Sequence, residues 1–344
     1  FVFRLAPATY RITYDLDGGA LAAGVTNQDS YTPAEMTESI VLSNPSKEGY
    51  TFTGWQLTTG KVGGGNAYNG MRVEIENTSY GNLAFKATYK PRKDLTYTVK
   101  YLEAGTNKEL LSSSTVENQT FGTTVNVPAQ NITGYTVDAE QKPVTIGLDN
   151  QKNEITFYYT KITNLHYEVH YHYEDGTSNK TETTSKDDGT YGEAIPYDPT
   201  TPKTYNGKNY VLEKVQKLGD GTITMDSAKN VVHVYYTVDE KSDPSKDKDP
   251  IQKGDGIPDK YQVTITYVSG GNGKVTAQEG GTLEEVRTLK EITTETDGTI
   301  TVGADVDVYP HAAVNTTPNA GYKPAGWTSN GTSYESIEDI KNQK

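Results

Sequence analysis

The chain contains no cysteine, and only two tryptophans, three methionines and six phenylalanines among 344 residues. Without cysteine there is no disulfide framework, no thiol nucleophile and no thiolate metal site, so each folded unit must stand on its apolar core. In a secreted chain that is the habit of bacterial surface proteins rather than of animal ectodomains. No run of roughly 18 apolar residues occurs, so nothing is expected to insert in a membrane. Positive charge is also short: 32 basic residues face 45 acidic ones, for a net charge of -13. With no basic cluster, nucleic acid is excluded as a partner, and a soluble monomer is expected. The opening "FVFRLAPATY" has no initiating Met, no basic n-region and no apolar h-region. It reads as an internal piece of a longer protein.

Leu, Ile, Val and Phe together number only 64, a composition that with this charge borders on disorder. Tyrosine reverses that reading. There are 26 Tyr against 6 Phe, and many alternate with β-branched residues, so Tyr is the expected bulky core residue of thin sheets. Period-2 runs predict strands at "YRITYDL" (10–16), "YTVKYLE" (97–103), "NEITFYYT" (153–160), "YEVHYHYE" (167–174), "NVVHVYYTV" (230–238) and "YQVTITYV" (261–268). Turns are expected at Asp17-Gly18, Asp175-Gly176, Asp188-Gly189, Asp220-Gly221, Asn272-Gly273, Asp297-Gly298 and Asn330-Gly331. Short helices are expected over 32–40 and 333–342, capped by Thr32 and Ser333.

The chain also repeats itself. "YTVKYLEAGT" (97–106) aligns with "YEVHYHYEDGT" (167–177), "GYTV" (134–137) with "NYVL" (209–212), and "ITFYYT" (155–160) with "VHVYYT" (232–237). A second kind of unit opens with a Tyr-rich strand and a Gly-rich turn and carries "GYTFTGW" (49–55) near one end and "GYKPAGW" (321–327) near the other. These two phrases hold both tryptophans. The expected organisation is five segments: modules over 1–92, 93–163, 164–241 and 261–344, with a charged, Pro-containing acidic linker over 242–260. Joints elsewhere are brief, which predicts an elongated array of touching modules.

The outer units resemble the Listeria-Bacteroides repeat, the internalin B-type repeat, in "YRITYDLDGG…EGYTFTGWQL…FKATY". The last one is a divergent relative without an equivalent of "FKATY". The central pair resembles MucBP-like repeats, named for mucin-binding proteins, in "YTVKYLEAGT…FGTTVNV…GYTV…ITFYYT". These resemblances imply a mostly β chain of tandem small β-grasp (ubiquitin-like) modules, in a non-catalytic adhesin or stalk attached to the cell wall of a Gram-positive bacterium. Host mucin or glycan is the implied partner. Passive spacers, or accessory modules of a large secreted enzyme, are the alternatives. The resemblance also makes Tyr50, Trp55, Tyr322 and Trp327 core plugs, with Gly49 and Gly54 bending the backbone around the indole.

Catalytic signals are missing: "GxSxG", "HExxH" and phosphate-binding Gly loops do not occur, and no cofactor is required. The Gly-rich stretch 61–70 reads as a loop. Three of five histidines fall in "HYEVHYH" (166–172), where period 2 puts His166, Glu168, His170 and His172 on one face. With His233 on a neighbouring strand, His170, His172 and His233 are candidate metal ligands, whereas the sister module has Thr98, Lys100 and Leu102 there. Asp247, Asp249, Asp255 and Asp259 around "GDGIPD" make calcium a candidate against a plain acidic linker. Of the adjacent tyrosines Tyr158/Tyr159 and Tyr235/Tyr236, one in each pair must face outward, so all four are candidate glycan contacts.

Overall fold

The computed structural model describes residues 1–63, 69–242, 254–279, 281–310 and 314–341. It is mostly β and divides into two compact units, Phe1–Thr160 and Lys161–Lys344. No helix among the described residues is long and apolar enough to cross a membrane.

In the first unit, Tyr and β-branched residues alternate along the opening strand β1 (Tyr10–Asp15). It lies parallel to a closing strand, β3 (Tyr80–Pro91), with Ile12 opposite Leu83 and Tyr14 opposite Phe85. The strand carrying the tryptophan phrase, β2 (Tyr50–Lys61), runs antiparallel along the other edge of β3. Short strands Ser30–Tyr31 and Asn69–Gly70 complete five strands. One face buries Ile12, Trp55, Leu57, Leu83, Phe85 and Ala87, each large side chain contributing about 1.5–3 kcal/mol by leaving water.

The second sheet repeats the plan. Its opening strand β4 (Leu95–Glu103) pairs parallel with the closing strand β6 (Glu154–Lys161), Val99 opposite Ile155 and Tyr101 opposite Phe157. Strand β5 (Glu109–Gln119) flanks β4, and Tyr135–Val137 flanks β6. The two sheets meet at a joint: Arg92 N–H donates to Gly49 O (3.0 Å), and Phe121 N–H donates to Arg92 O (2.9 Å).

In the second unit, β7 (Leu165–Glu174) and β10 (Val231–Val238) form the same parallel opening and closing pair, His170 opposite His233. Strand β8 (Lys180–Gly189) flanks β7 and β9 (Lys208–Lys217) flanks β10. The core is Tyr-built: Tyr167, Tyr173, Tyr210 and Tyr236 are buried with Val169, Val232 and Val234. Beyond it the plan stops. Strand β11 (Gln262–Thr266) pairs with Glu284–Thr288, and β12 (Trp327–Ser329) with Thr332–Tyr334; among the described residues no closing strand joins the two. From 261 on, the buried side chains among the described residues are Gln262, Tyr267 and Glu285.

Local expectations need three corrections. The first helix is a single 3-10 turn, Pro33–Glu35, and Thr32 makes no side-chain cap. The second is Ile337–Lys341, and its cap is Ser336 rather than Ser333: Asp339 N–H donates to Ser336 Oγ (3.1 Å), while Asp339 Oδ2 accepts from Ser336 N–H (2.7 Å). Asp188-Gly189 is no turn but the end of β8. A Cβ at Gly189 would stand 2.7 Å from Leu165 O, so close strand approach rather than positive φ selects glycine there. The other pairs do carry positive φ, at both residues in Asp17-Gly18 and Asn330-Gly331.

Candidate functional site

The two tryptophan phrases have different fates. Trp55 is fully buried; its indole donates to Asn44 Oδ1 (3.1 Å) and meets Tyr14, Phe52 and Phe85 edge-on at 5.8–6.3 Å. Gly54, at φ 138°, lets Gly70 approach: a Cβ would sit 2.9 Å from that backbone. Gly49 bends around no indole. Its missing Cβ makes room for the Phe121 ring across the joint. Tyr50 belongs to the same joint, half-buried and edge-on to Phe121 at 5.7 Å, so it seals two sheets rather than plugging one. At the far phrase Trp327 is half-buried against Tyr267 (5.9 Å), and Tyr322 is 57% exposed. Tyr322 is therefore not a core residue: among the described residues no closing strand covers its face. It borders a groove of about 530 Å³ with Val268, Lys274, Lys323 and Trp327.

The tyrosine pairs separate as alternation requires. Tyr159 and Tyr236 are 1% and 0% exposed; their hydroxyls donate to Gln130 O (2.6 Å) and Asp198 O (2.9 Å), and burial pushes both phenols up. These two point into their cores and present no ring face to a sugar, which corrects the expectation for them. Their partners face out. Tyr158 is 39% exposed with Lys142 Nζ 5.6 Å from its ring, and Tyr235 is half-buried between His172 (stacked at 4.5 Å) and Lys214 (4.6 Å).

The histidines do come together. His170 and His172 project from one face of β7, and His233 from β10 beside them. His172 Nε2 and His233 Nδ1 are 2.9 Å apart, one donating to the other. His170 Nε2 meets Glu168 Oε2 at 2.8 Å, and His166 sits between Glu168 and Asp187. Burial, then neighbouring imidazoles, lowers His172 and His233; hydrogen bonds that His166 donates to Asp187 and Glu168 raise His166. In the sister sheet Thr98 faces Thr115 and Lys100 pairs with Glu154.

Asp255 and Asp259 serve the backbone. Asp259 Oδ1 accepts from the N–H groups of Glu240 and Lys241 (both 2.9 Å), and Asp255 accepts from Ile257 N–H (3.0 Å) and Gln262 Nε2 (2.9 Å). Asp247 and Asp249 lie outside the described residues. Sequence reasoning missed the centre of this knot. Asp239, 1% exposed, accepts from Asp255 N–H (3.2 Å) and Gly256 N–H (2.9 Å), and burial pushes its carboxyl up to about 7.

It also missed two buried amides. Asn153 donates to Thr96 O (3.0 Å) and Gly147 O (2.9 Å) and accepts from Gly147 N–H (2.8 Å). Asn230 repeats the set with His166 O (2.9 Å), Thr224 O (2.8 Å) and Thr224 N–H (2.8 Å). Both follow a lysine just before the closing strand, Lys152-Asn153 and Lys229-Asn230, which was the available signal.

The first sheet, with its parallel outer pair and buried indole, coincides with a known family model. Residues 10–95 match the Listeria-Bacteroides repeat domain. Trp55 is thus the core indole of the matched repeat. Over 183 residues, 52% of this chain, the sequence is also 31% identical to Internalin J of Listeria monocytogenes serovar 1/2a. The match spans 18% of that protein's length.

Proposed function

We propose that this chain is a non-catalytic repeat region of a bacterial surface protein, outside the cell and attached to the wall, whose modules space other parts of the protein. The observation that carries this reading is where the tyrosines go. Tyr31, Tyr89, Tyr159 and Tyr236 each hold a hydroxyl on a backbone carbonyl of their own module, so the ring chemistry of these four serves folding. The Listeria-Bacteroides repeat match and the similarity to Internalin J support a surface location. We read each of the three cored sheets as a β-grasp-like module, from its adjacent parallel opening and closing strands, and the central pair as MucBP-like repeats. The region acts as a monomer without nucleic acid.

A second reading, adhesion to host mucin or glycan, is favoured by the exposed ring of Tyr158 beside Lys142 and by the outward ring of Tyr235. Aromatic faces of this kind stack on pyranose rings. Surface plasmon resonance of the full chain over immobilised mucin separates the two. A spacer gives no saturable retention. Saturable retention that Tyr158→Ala or Tyr235→Ala removes, with the far-UV spectrum unchanged, replaces the spacer with an adhesin.

A further inference from the structure

We propose that His172 and His233 bind a divalent transition-metal ion of the zinc class on the outer face of the third sheet, with His170 as the third ligand. The parallel register fixes the geometry. His170 and His172 are two residues apart on β7 and share a face; β10 places His233 directly opposite His170. The ring centroids are 4.9 Å (170 to 233), 5.2 Å (172 to 233) and 6.3 Å (170 to 172) apart. Three imidazoles radiating from one ion, with metal–nitrogen bonds of about 2.0–2.1 Å, have centroids roughly 4.5–6 Å apart; both pairs with His233 fall in that span and the His170–His172 pair lies just beyond it.

The nitrogens of two rings converge. His172 Nε2 and His233 Nδ1 are 2.9 Å apart; two nitrogens on one tetrahedral ion are about 3.3 Å apart. With ring centroids 5.2 Å apart the two nitrogens face each other nearly in line, so opening the pair by a few tenths of an ångström and turning both rings toward one point exchanges the shared proton for the ion. The other nitrogen of His172 is held by Thr181 Oγ1 (3.0 Å), which orients that ring as an outer-shell partner would. His170 is not yet aimed at the site: its nitrogens meet Glu168 (2.8 Å) and Thr183 (3.2 Å). Accordingly, among the described residues no three imidazole or carboxylate groups form a ready cage, and the third ligand arrives by rotation of the His170 ring. Two rings in place and one turning give a site that binds reversibly and keeps a coordination position for water. Imidazole donors select zinc, nickel or copper over calcium, which takes oxygen. The sister sheet, with threonine and lysine at the matching positions, has no such donors.

Isothermal titration of the full chain with Zn2+ at pH 7.5, beside Ca2+, tests this. One saturable zinc site and no calcium response at these rings are expected. At pH 5.5 zinc affinity falls at least about tenfold, because the ligands must shed protons to bind. His172→Gln and His233→Gln each remove the site, with circular dichroism reporting the fold. Long-range 1H–15N spectra of the imidazoles give an answer without any substitution: zinc moves the His172 and His233 nitrogen signals first. No saturable zinc binding, binding retained in the folded double variant, or shifts confined to His166 and His311 would each overturn the proposal.

Discussion

Asn153 and Asn230 show what a single side chain does in a thin sheet. Each ties the start of the opening strand to the loop before the closing strand, Asn153 with three hydrogen bonds and Asn230 with a fourth from Thr224 Oγ1 (3.0 Å), and each is almost fully buried. Asn→Ala at either position strands two backbone carbonyls and one N–H away from water, so each variant should lose about 2–4 kcal/mol. Urea titration followed by amide resonances of the affected sheet reads this directly. The tryptophans make a paired prediction. Trp55→Ala empties a core and should cost about 3–5 kcal/mol, while Trp327→Ala, half-buried on an open groove, should cost about 1 kcal/mol or less. Equal losses would mean that the two phrases do the same work after all. Residue types hinted at these roles only in part. A Lys-Asn pair before a strand reads equally well as a turn, and neither indole's burial is legible in a phrase both copies share. What differs is the strand that covers them.

At the scale of elements, strand positions were largely legible, because Tyr, Val and Thr alternate wherever one face is buried. The runs at 97–103, 153–160 and 230–238 fall within two residues of β4, β6 and β10. Strands β5 and β8 were not legible: "ELLSSSTVENQ" and "KTETTSKDDG" lie at sheet edges, mostly exposed on both faces, and so carry no apolar period. The parallel pairing that gathers the three histidines was visible only as a guess about strand neighbours. The knot at the end of β10 was illegible for another reason, since a buried aspartate looks like its solvated neighbours in an acidic run. Its titration has a definite sign. The folded carboxyl of Asp239, at about 7, lies above its unfolded value near 4, so its contribution is fully present below pH 4 and is lost as pH rises through 7. Asp239→Asn should flatten that slope, while its NH2 group gives up one of the two backbone N–H bonds that the carboxylate accepts. The histidine cluster has the opposite sign. His172 and His233 are depressed, so the third sheet keeps their contribution above about pH 6.5 and loses it as pH falls through their folded values. Thermal melts from pH 4 to 8, with His172→Gln as the comparison, should show a smaller acid-side loss in the variant, where only His233 remains depressed, than in the parent chain.

Among the described residues, three cored sheets precede a stretch that builds no comparable core. Brief proteolysis should cut first within 261–341, leaving a resistant core that ends near 241, and mass spectrometry of the fragments would locate the cuts. Cleavage that begins inside 95–161 would contradict this ranking. The self-alignment placed the sister sheets correctly because both copies keep the same opening and closing strands; it could not show that, among the described residues, no closing strand joins β11 to β12. In each of the first three sheets the first and last strands lie side by side and parallel. Pulling one such module by its two ends drags these neighbours past each other lengthwise, so the whole ladder of hydrogen bonds between them is loaded together. An antiparallel pair pulled from one end would unzip bond by bond. Each of these sheets is therefore wired as a shear clamp.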